Sequence, residues 1–343
     1  MNLMKVQDLV GRPLQNLRIS VTDRCNLRCQ YCMPEADYAW LPRTDILTFE
    51  EIDTLVDIFG ELGVNKVRIT GGEPLLRTDL PQLVALLAQK PVLQDLALTT
   101  NGVLLPDQVT ALRKAGLLRL TVSLDTLRPE RFKELTRFDN LSVVLRGLEM
   151  ASKCGFDSVK VDTVVIKGTN DDELVPMLEH GRRLGVEVRF IEYMDVGGAT
   201  RWSMQKVLSR QEMLNRLTNH YGPIAALDED TSAPADRFVL PDGTIFGIIS
   251  STTQPFCQQC DRSRLTADGQ WYRCLYAPTG TDLRGPLRAG ISPDDLRGLI
   301  ARIWGERNDR GAENRLNSAD RSALIPIETL QGEPHLEMHT RGG

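Results

Sequence analysis

The chain has 343 residues and a formal net charge of −5, from 41 Lys and Arg against 46 Asp and Glu. Because charges of both signs are mixed along the chain, the composition excludes a general field for nucleic acid or for an anionic membrane surface. The chain also lacks a secretory signal pattern and an apolar run near the ~20 residues that cross a bilayer. We therefore expect a cytoplasmic protein with no membrane contact and no nucleic-acid partner.

Short β-branched runs alternate with helical patterns before residue 222. The predicted strands are residues 17–23, 66–70, 95–100, 119–125, 158–166 and 186–194. The predicted helices are residues 48–62, 79–89, 106–115, 140–153 and 171–184. Thr48 and Glu51 form a capping-box pattern at the start of the first helix. Strands that alternate with helices predict a parallel α/β sheet, and the residues alone leave open whether it is doubly wound or curled into a full or partial barrel.

The character of the sequence changes after residue 222. Residues 225–236 are acidic, small and Pro-containing, which is typical of a linker or surface loop. Two Asp-Gly turns between β-favouring runs then predict hairpins at 237–250 and 263–276. These features divide the chain into a first domain, 1–224, and a smaller second domain, 225–343.

Chemistry-bearing segments follow the predicted strands. The first strand runs into three cysteines, and the later ones run into GGEP (71–74), TTNG (99–102), SLD (123–125) and YMDVGG (193–198). Ligands of parallel α/β sheets bind beyond the carboxyl ends of the strands. These loops are therefore predicted to share one mouth.

The seven cysteines fall into two triads and one isolated residue, Cys154, which is predicted to be an inert thiol. The predicted ligands of the triads are Cys25, Cys29 and Cys32, spaced CxxxCxxC, and Cys257, Cys260 and Cys274. A 4Fe-4S cubane held by three thiolates keeps one iron open for another ligand. A structural zinc site would need a fourth Cys or His, and the four histidines lie far away in sequence. The spacing favours clusters and leaves zinc as the alternative.

CxxxCxxC after the first strand, followed by GGEP after the second, resembles the radical S-adenosylmethionine (radical SAM) superfamily. Within it, CQQCDRSRL with Cys274 downstream and the final Gly342–Gly343 resemble the GTP 3′,8-cyclase family, over essentially the whole chain. The resemblance implies an α/β fold, a partial (β/α)6 TIM-type barrel. A smaller carboxyl-terminal α+β domain would carry a second 4Fe-4S cluster.

The resemblance also implies the site residues. It implies S-adenosylmethionine contacts at Tyr31, Gly72, Glu73, Ser123 and Met194. It implies GTP contacts at Arg18, Lys66, Arg68, Thr99, Lys160, Arg189, Arg262, Ser263 and Arg264. The chemistry agrees in kind, because guanidinium forks bind phosphate oxygens and basic residues inside a sheet need an anionic partner. No general acid or base can be assigned from the sequence.

The implied reaction is a radical cyclisation of GTP to 3′,8-cyclo-7,8-dihydro-GTP, the first step of molybdenum cofactor biosynthesis. The implied cofactors are two 4Fe-4S clusters and S-adenosylmethionine. The implied partners are an electron donor such as flavodoxin or ferredoxin and a downstream cyclic pyranopterin monophosphate synthase, and a homodimer is compatible with the sequence. The alternatives are another radical SAM enzyme with an auxiliary cluster, such as a peptide-modifying maturase, and a non-enzymatic zinc-binding module.

Overall fold

The computed structural model describes residues 5–35, 37–199, 201–228, 232–319 and 321–342. Its twelve strands, counted over these residues, form one sheet in the order β12-β11-β10-β1-β2-β3-β4-β5-β6-β9-β8-β7. The strands are β1 Asn16–Ser20, β2 Lys66–Thr70, β3 Asp95–Thr100, β4 Arg119–Ser123, β5 Ser158–Val165, β6 Glu187–Glu192, β7 Ala225–Ala226, β8 Asp236–Val239, β9 Ile245–Ile249, β10 Arg262–Leu265, β11 Gln270–Tyr272 and β12 Thr281–Asp282. All six strands predicted before residue 222 are present.

Eleven helices are described, and those that connect β1 to β6 cover the outer face of the sheet. The eleven helices are α1 Phe49–Glu61, α2 Leu80–Ala88, α3 Leu105–Lys114, α4 Pro129–Thr136, α5 Leu141–Lys153, α6 Leu174–Leu184, α7 Arg210–Tyr221, α8 Arg284–Arg288, α9 Pro293–Gly305, α10 Gly311–Leu316 and α11 Ile327–Gly332. The predicted capping box is confirmed, since Thr48 Oγ1 accepts from the Glu51 N–H at 3.2 Å and Glu51 Oε2 accepts from the Thr48 N–H at 2.8 Å. The five helices predicted from the sequence are present, and the other six described helices, α4 and α7 to α11, were not predicted.

The sheet is mostly parallel, and its two edges are not paired with each other. Strands β1 to β6 are parallel neighbours, and β10 and β9 extend them in parallel at opposite ends. The predicted hairpins are confirmed as β8–β9 and β10–β11, each antiparallel. The two hairpins add to opposite edges of the six-stranded parallel sheet, so strands from both predicted domains belong to one continuous sheet. The boundary between residues 224 and 225 stays a prediction.

The two faces of the sheet differ in polarity. Leu17 and Ile19 of β1 are fully buried in the apolar core that the helices complete, and β2 repeats the pattern with Val67 and Ile69. The alternate residues of the same strands point into a cavity on the other side. The main apolar core therefore lies between the sheet and its helices, which leaves the inner face free for polar groups. No helix in the described ranges combines the length and apolar character needed to cross a bilayer.

Candidate active site

The loops that follow the strands line one cavity, with a volume of ≈ 730 Å³. The lining includes residues after β1, β2, β3, β4 and β6, which confirms the expectation of a shared mouth. All six triad cysteines also line it. Most of the predicted ligand contacts do so as well: Tyr31, Gly72, Ser123, Met194, Arg18, Lys66, Arg68, Thr99, Lys160, Arg189, Arg262 and Arg264.

The first cysteine triad lies on a loop supported by the end of α4. Within the loop, the Met33 N–H donates to the Cys29 carbonyl at 2.8 Å. The Arg28 and Gln30 N–H groups donate to the carbonyls of Thr136 and Leu135 at 3.0 and 3.1 Å. The last carbonyls of a helix lack helical partners, so these bonds satisfy them while they hold the loop. Burial raises the pKa of Cys29 well above its usual value, and the neighbouring Cys25 raises it further.

The two glycines of GGEP let this second loop pack backbone to backbone against the first. The Gly72 N–H donates to the Thr22 carbonyl at 2.9 Å, and the Glu73 N–H donates to the Arg24 carbonyl at 2.8 Å. A Cβ at Gly72 would lie 2.3 Å from the Arg24 carbonyl oxygen, and Gly71 has φ +152° with the Thr22 oxygen 2.5 Å from an added Cβ. Only glycine tolerates such approaches. The glycines therefore fix the position of the cysteine loop as well as one side of the cavity.

Glu73 is fully buried and does not line the cavity. It accepts hydrogen bonds from the Leu75 N–H at 2.9 Å, the Thr100 hydroxyl at 2.7 Å and the Asn101 N–H at 2.7 Å. Burial raises the pKa of Glu73 to about 7, although these hydrogen bonds favour the charged form. The Glu73 carboxylate thus joins the GGEP loop to the TTNG loop, and the implied contact between Glu73 and S-adenosylmethionine stays a prediction.

Ser263 also lies away from the cavity. It stands between Arg262 and Arg264 on β10, and alternate residues of a strand point to opposite faces. Because both arginines line the cavity, the Ser263 side chain is directed outward and is buried there. The Ser263 side chain does not line the cavity, and the implied substrate contact at Ser263 stays a prediction.

Tyr31 is held by an aspartate that the sequence analysis did not single out. The Tyr31 hydroxyl donates to Asp125 Oδ2 at 2.6 Å, and Asp125 Oδ1 accepts from the Val164 N–H at 2.9 Å. Burial raises the pKa of Asp125 to about 6. Asp125 belongs to the SLD segment, so its position after β4 was the available signal.

The second cysteine triad lies among buried arginines. Arg12 and Arg307 are almost fully buried, and they donate to the carbonyls of Cys257 and Cys260, each at 2.8 Å. Burial alone would raise the pKa of Cys260, but Arg262 and Arg307 lower it to about 7. The surroundings of this triad therefore favour thiolate at Cys260, the form that ligates iron.

Three predicted substrate arginines stand side by side on neighbouring strands. Arg18 of β1 is in register with Arg68 of β2 on one side and Arg264 of β10 on the other. Burial and repulsion from Arg264 and Arg262 lower the pKa of Arg18 well below its usual range. Burial and Arg18 lower that of Arg68 to about 9, so Arg68 remains protonated at neutral pH. Among the described residues, Arg18 forms no hydrogen bond or salt bridge, so this row can accept an anion.

Other predicted basic residues already have carboxylate partners. Lys160 Nζ lies 2.5 Å from Glu187 Oε1, and Arg189 Nη2 lies 2.6 Å from Asp162 Oδ1. The acidic partners line the cavity too and were not predicted. Thr99 accepts from Arg68 Nη1 at 3.1 Å, which fixes that guanidinium in the row.

The carboxyl-terminal tail reaches the barrel mouth. Arg264 Nη1 donates to the carbonyls of Arg341 and Gly342 at 3.0 and 2.7 Å. Gly342 has φ +65°, and an added Cβ would lie 2.3 Å from Thr70 Cγ2 at the end of β2. Only glycine suits this position. Gly343, the other half of the predicted Gly-Gly end, lies outside the described residues.

Each cysteine triad offers the donor set of a cluster with one open iron. In the described ranges, no three His, Cys, Asp or Glu side chains are arranged to hold a single metal ion. A cubane distributes its ligands over separate irons, so its thiolates stand further apart than the ligands of one ion. Three thiols facing a shared cavity, with Gly72 bordering the first set, fit two such clusters with room for ligands between them.

Comparisons with known proteins cover nearly the whole chain. Residues 19–181 match the Radical SAM superfamily, and residues 186–313 match Molybdenum Cofactor Synthesis C. The chain is 54% identical over 346 residues to GTP 3′,8-cyclase 3 of Mycobacterium bovis, covering 100% of this chain and 92% of that protein. It is 46% identical over 312 residues to the GTP 3′,8-cyclase of Aquifex aeolicus, covering 90% and 94%.

A solved structure shares the fold at low sequence identity. Streptococcus suis SuiB bound to S-adenosylmethionine matches with a TM-score of 0.62 at 14% identity, over 89% of this chain and 69% of that chain. A likeness at this identity carries the fold alone.

The packing at Gly72 generates a prediction. Gly72→Ala would push a Cβ into the Arg24 carbonyl and displace the cysteine loop, so we expect the protein to lose roughly half of its bound iron, the share of one of two cubanes. Gly298→Ala is the control, since an added Cβ there meets no atom within 4 Å. Iron and sulfide analysis of anaerobically purified protein measures the effect. Full iron content in the Gly72 variant would contradict the packing argument.

Proposed function

Because the chain belongs to the GTP 3′,8-cyclase family of the radical SAM superfamily, we propose that its cavity holds GTP and S-adenosylmethionine together, between the two cysteine triads. The enzyme cyclises GTP to 3′,8-cyclo-7,8-dihydro-GTP, the first step of molybdenum cofactor biosynthesis, with S-adenosylmethionine and two 4Fe-4S clusters as cofactors. The observation that carries the proposal is the arginine row of Arg18, Arg68 and Arg264, which lines the same cavity as both triads.

The first triad and the loops around it form the cofactor half of the proposed site. Cys25, Cys29 and Cys32 hold the first cluster, and Tyr31, Gly72, Ser123 and Met194 contact S-adenosylmethionine. When bound, these cofactors supply the 5′-deoxyadenosyl radical that removes hydrogen from the GTP ribose. Asp125 keeps the Tyr31 ring in place through the hydroxyl bond at 2.6 Å.

The second triad and the inner strands form the substrate half. Cys257, Cys260 and Cys274 would hold the second cluster, which would bind the guanine. Arg18, Arg68, Arg262 and Arg264, together with Lys66 and Thr99, bind the GTP ribose and phosphates. Lys160 and Arg189 add polar contacts, although their carboxylate partners cancel much of their charge. The protein's own work is to orient the two ligands and exclude water, because the cofactors carry the chemistry.

The tail completes the substrate half. Gly342 accepts a hydrogen bond from Arg264 through its carbonyl, and its missing Cβ leaves room beside Thr70, which supports a role for Gly342 beside bound GTP. We assign residues 1–224 to the radical SAM half and residues 225–343 to the auxiliary-cluster half. The enzyme works in the cytoplasm, takes electrons from a flavodoxin or ferredoxin, hands its product to a cyclic pyranopterin monophosphate synthase, and is compatible with a homodimer.

The experiment that tests this function is an anaerobic reaction of the reconstituted enzyme with GTP, S-adenosylmethionine and dithionite, with products identified by mass. Cys29→Ala should abolish 5′-deoxyadenosine formation, because two thiolates hold a cubane poorly. Cys274→Ala should still cleave S-adenosylmethionine and make no cyclised nucleotide. Circular dichroism controls for folding. Wild-type cleavage by Cys29→Ala, or a peptide-modifying activity without GTP turnover, would refute the proposal.

The unpartnered Arg18 generates a binding prediction. Arg18→Ala should weaken GTP binding by roughly 1.5–3 kcal/mol, the scale of a hydrogen bond to a charged group, and should weaken guanosine binding less because guanosine lacks phosphates. Arg302→Ala removes an equal charge from an exposed position of α9 and serves as the control. Isothermal titration calorimetry under nitrogen gives both affinities. Equal losses for GTP and guanosine would argue against a phosphate contact.

Deleting Gly342 and Gly343 should leave iron content, folding and GTP binding near those of the full chain. The cyclised product should nevertheless fall sharply while 5′-deoxyadenosine continues to form, since a misplaced ribose hydrogen no longer meets the radical at reacting distance. Gly342→Ala should act in the same direction, because its Cβ collides with Thr70. 5′-Deoxyadenosine and the cyclised nucleotide are measured in one reaction. An unchanged ratio between them would contradict a role of the tail in the reaction.

A further inference from the structure

Asn101 occupies a position that the proposed roles leave unused. It follows β3 in the TTNG segment, precedes α3, and lines the cavity beside the first triad. The sequence analysis noted the segment but gave no role to this side chain. Its contacts reach one of the three cysteines directly.

The hydrogen bonds of Asn101 fix the orientation of its amide group. Its Oδ1 accepts from the Val103 N–H at 3.0 Å, so Nδ2 must be the atom on the other side. That Nδ2 lies 2.8 Å from Asn26 Oδ1 and 3.7 Å from Cys25 Sγ. Sulfur is larger than oxygen, so 3.7 Å is an N–H···S contact. Both amide hydrogens therefore have acceptors, and one of these acceptors is a cluster-ligand sulfur.

Glu73 holds the backbone of Asn101 on the side away from the cavity. Glu73 Oε2 accepts from the Asn101 N–H at 2.7 Å, and Oε1 accepts from the hydroxyl of the preceding Thr100 at 2.7 Å. The same Oε1 accepts from the Leu75 N–H at 2.9 Å, within the GGEP loop. A continuous set of hydrogen bonds therefore runs from the buried carboxylate through the Asn101 backbone and amide to Cys25 Sγ.

We propose that Asn101 tunes the first cluster by donating an N–H···S hydrogen bond to Cys25 Sγ, and that Glu73 is the positioning residue that keeps Asn101 there. The inference rests on the proposed function, because it requires a cluster on Cys25, Cys29 and Cys32. Hydrogen bonds to ligand sulfurs are among the factors that set cluster potentials. A reduced cluster carries more negative charge than an oxidised one, so the donor stabilises the reduced form more and raises the midpoint potential.

The test is an anaerobic redox titration of the reconstituted enzyme, followed by electron paramagnetic resonance. Adding S-adenosylmethionine alters the signal of the cluster that binds it, which tells the two clusters apart. Asn101→Asp retains the oxygen that accepts from Val103 and replaces the donor by a second oxygen, and Asn101→Ala removes the amide altogether. Gln30→Ala is the matched control, because it removes an exposed carboxamide from the loop of the first cysteine triad. That carboxamide donates to the Glu134 carbonyl at 3.0 Å.

Both Asn101 variants should retain iron and shift the midpoint potential of the first cluster to more negative values, with the larger shift in Asn101→Asp because of its added charge. Glu73→Gln loosens Asn101 but also removes a negative charge that disfavours reduction, so the potential of this variant should lie above that of Asn101→Ala. Gln30→Ala and the second cluster should not shift. An unchanged potential in either iron-loaded Asn101 variant would overturn the inference. So would loss of first-cluster iron from both while Gln30→Ala stays loaded, which would make Asn101 a purely structural residue.

The outcomes separate this inference from the function on which it rests. If the wild-type enzyme shows no signal that responds to S-adenosylmethionine, the proposed function fails and the inference fails with it. If the wild-type signal responds and the Asn101 variants match the wild-type potential, the inference alone fails.

Discussion

The row of arginines on the inner face of the sheet is the constraint on which the rest of the site depends. Strand register places Arg18 between Arg68 and Arg264, and three like charges side by side in a partly dehydrated cavity repel one another. The fold tolerates them because its main apolar core lies on the other face, under the helices. The guanidinium of Arg264 donates hydrogen bonds to tail carbonyls, and that of Arg68 donates to threonine hydroxyls, which partly offsets the cost of burying these two charges. Arg18 is left without a hydrogen-bonding partner among the described residues, and the proposed anionic ligand would supply the missing stabilisation.

Local patterns in the sequence predict much of this fold, because hydrophobic residues recur every second residue in strands and every three to four residues in helices. The strands at 66–70 and 95–100 and the capping box of α1 follow from such patterns and are present. The pairing of β1 with β10 does not follow from them. Asn16 and Arg262 are adjacent in register although most of the chain lies between them in sequence, and no local pattern encodes that pairing. The hairpins were therefore predictable as hairpins, but their places at opposite edges of the sheet were not.

The site shows the same division between chemistry and packing. The two cysteine triads and the basic strands were recognisable from residue types and spacing, whereas the partner of each polar group depends on three-dimensional contacts. Glu73 looks like a ligand for an ammonium group, yet its carboxylate ends among backbone and hydroxyl donors inside the protein. Ser263 differs, because its outward direction follows from strand alternation between two cavity arginines and was available in the sequence.

Burial raises the pKa of cysteines in both triads, that of Cys274 to about 11, but Cys260 of the second triad lies beside two arginines. Burial, together with the carboxylate of Glu73, raises the pKa of Cys25 to about 11. Burial acts on Cys260 too, but Arg262 and Arg307 bring its pKa down to about 7. Surroundings that disfavour negative charge on a thiol also disfavour an added electron on a cluster bound there, and cations do the reverse. Arg262 and Arg307 therefore favour negative charge at Cys260, whereas at the first triad the N–H donors to sulfur, including that of Asn101, lower the cost of reduction.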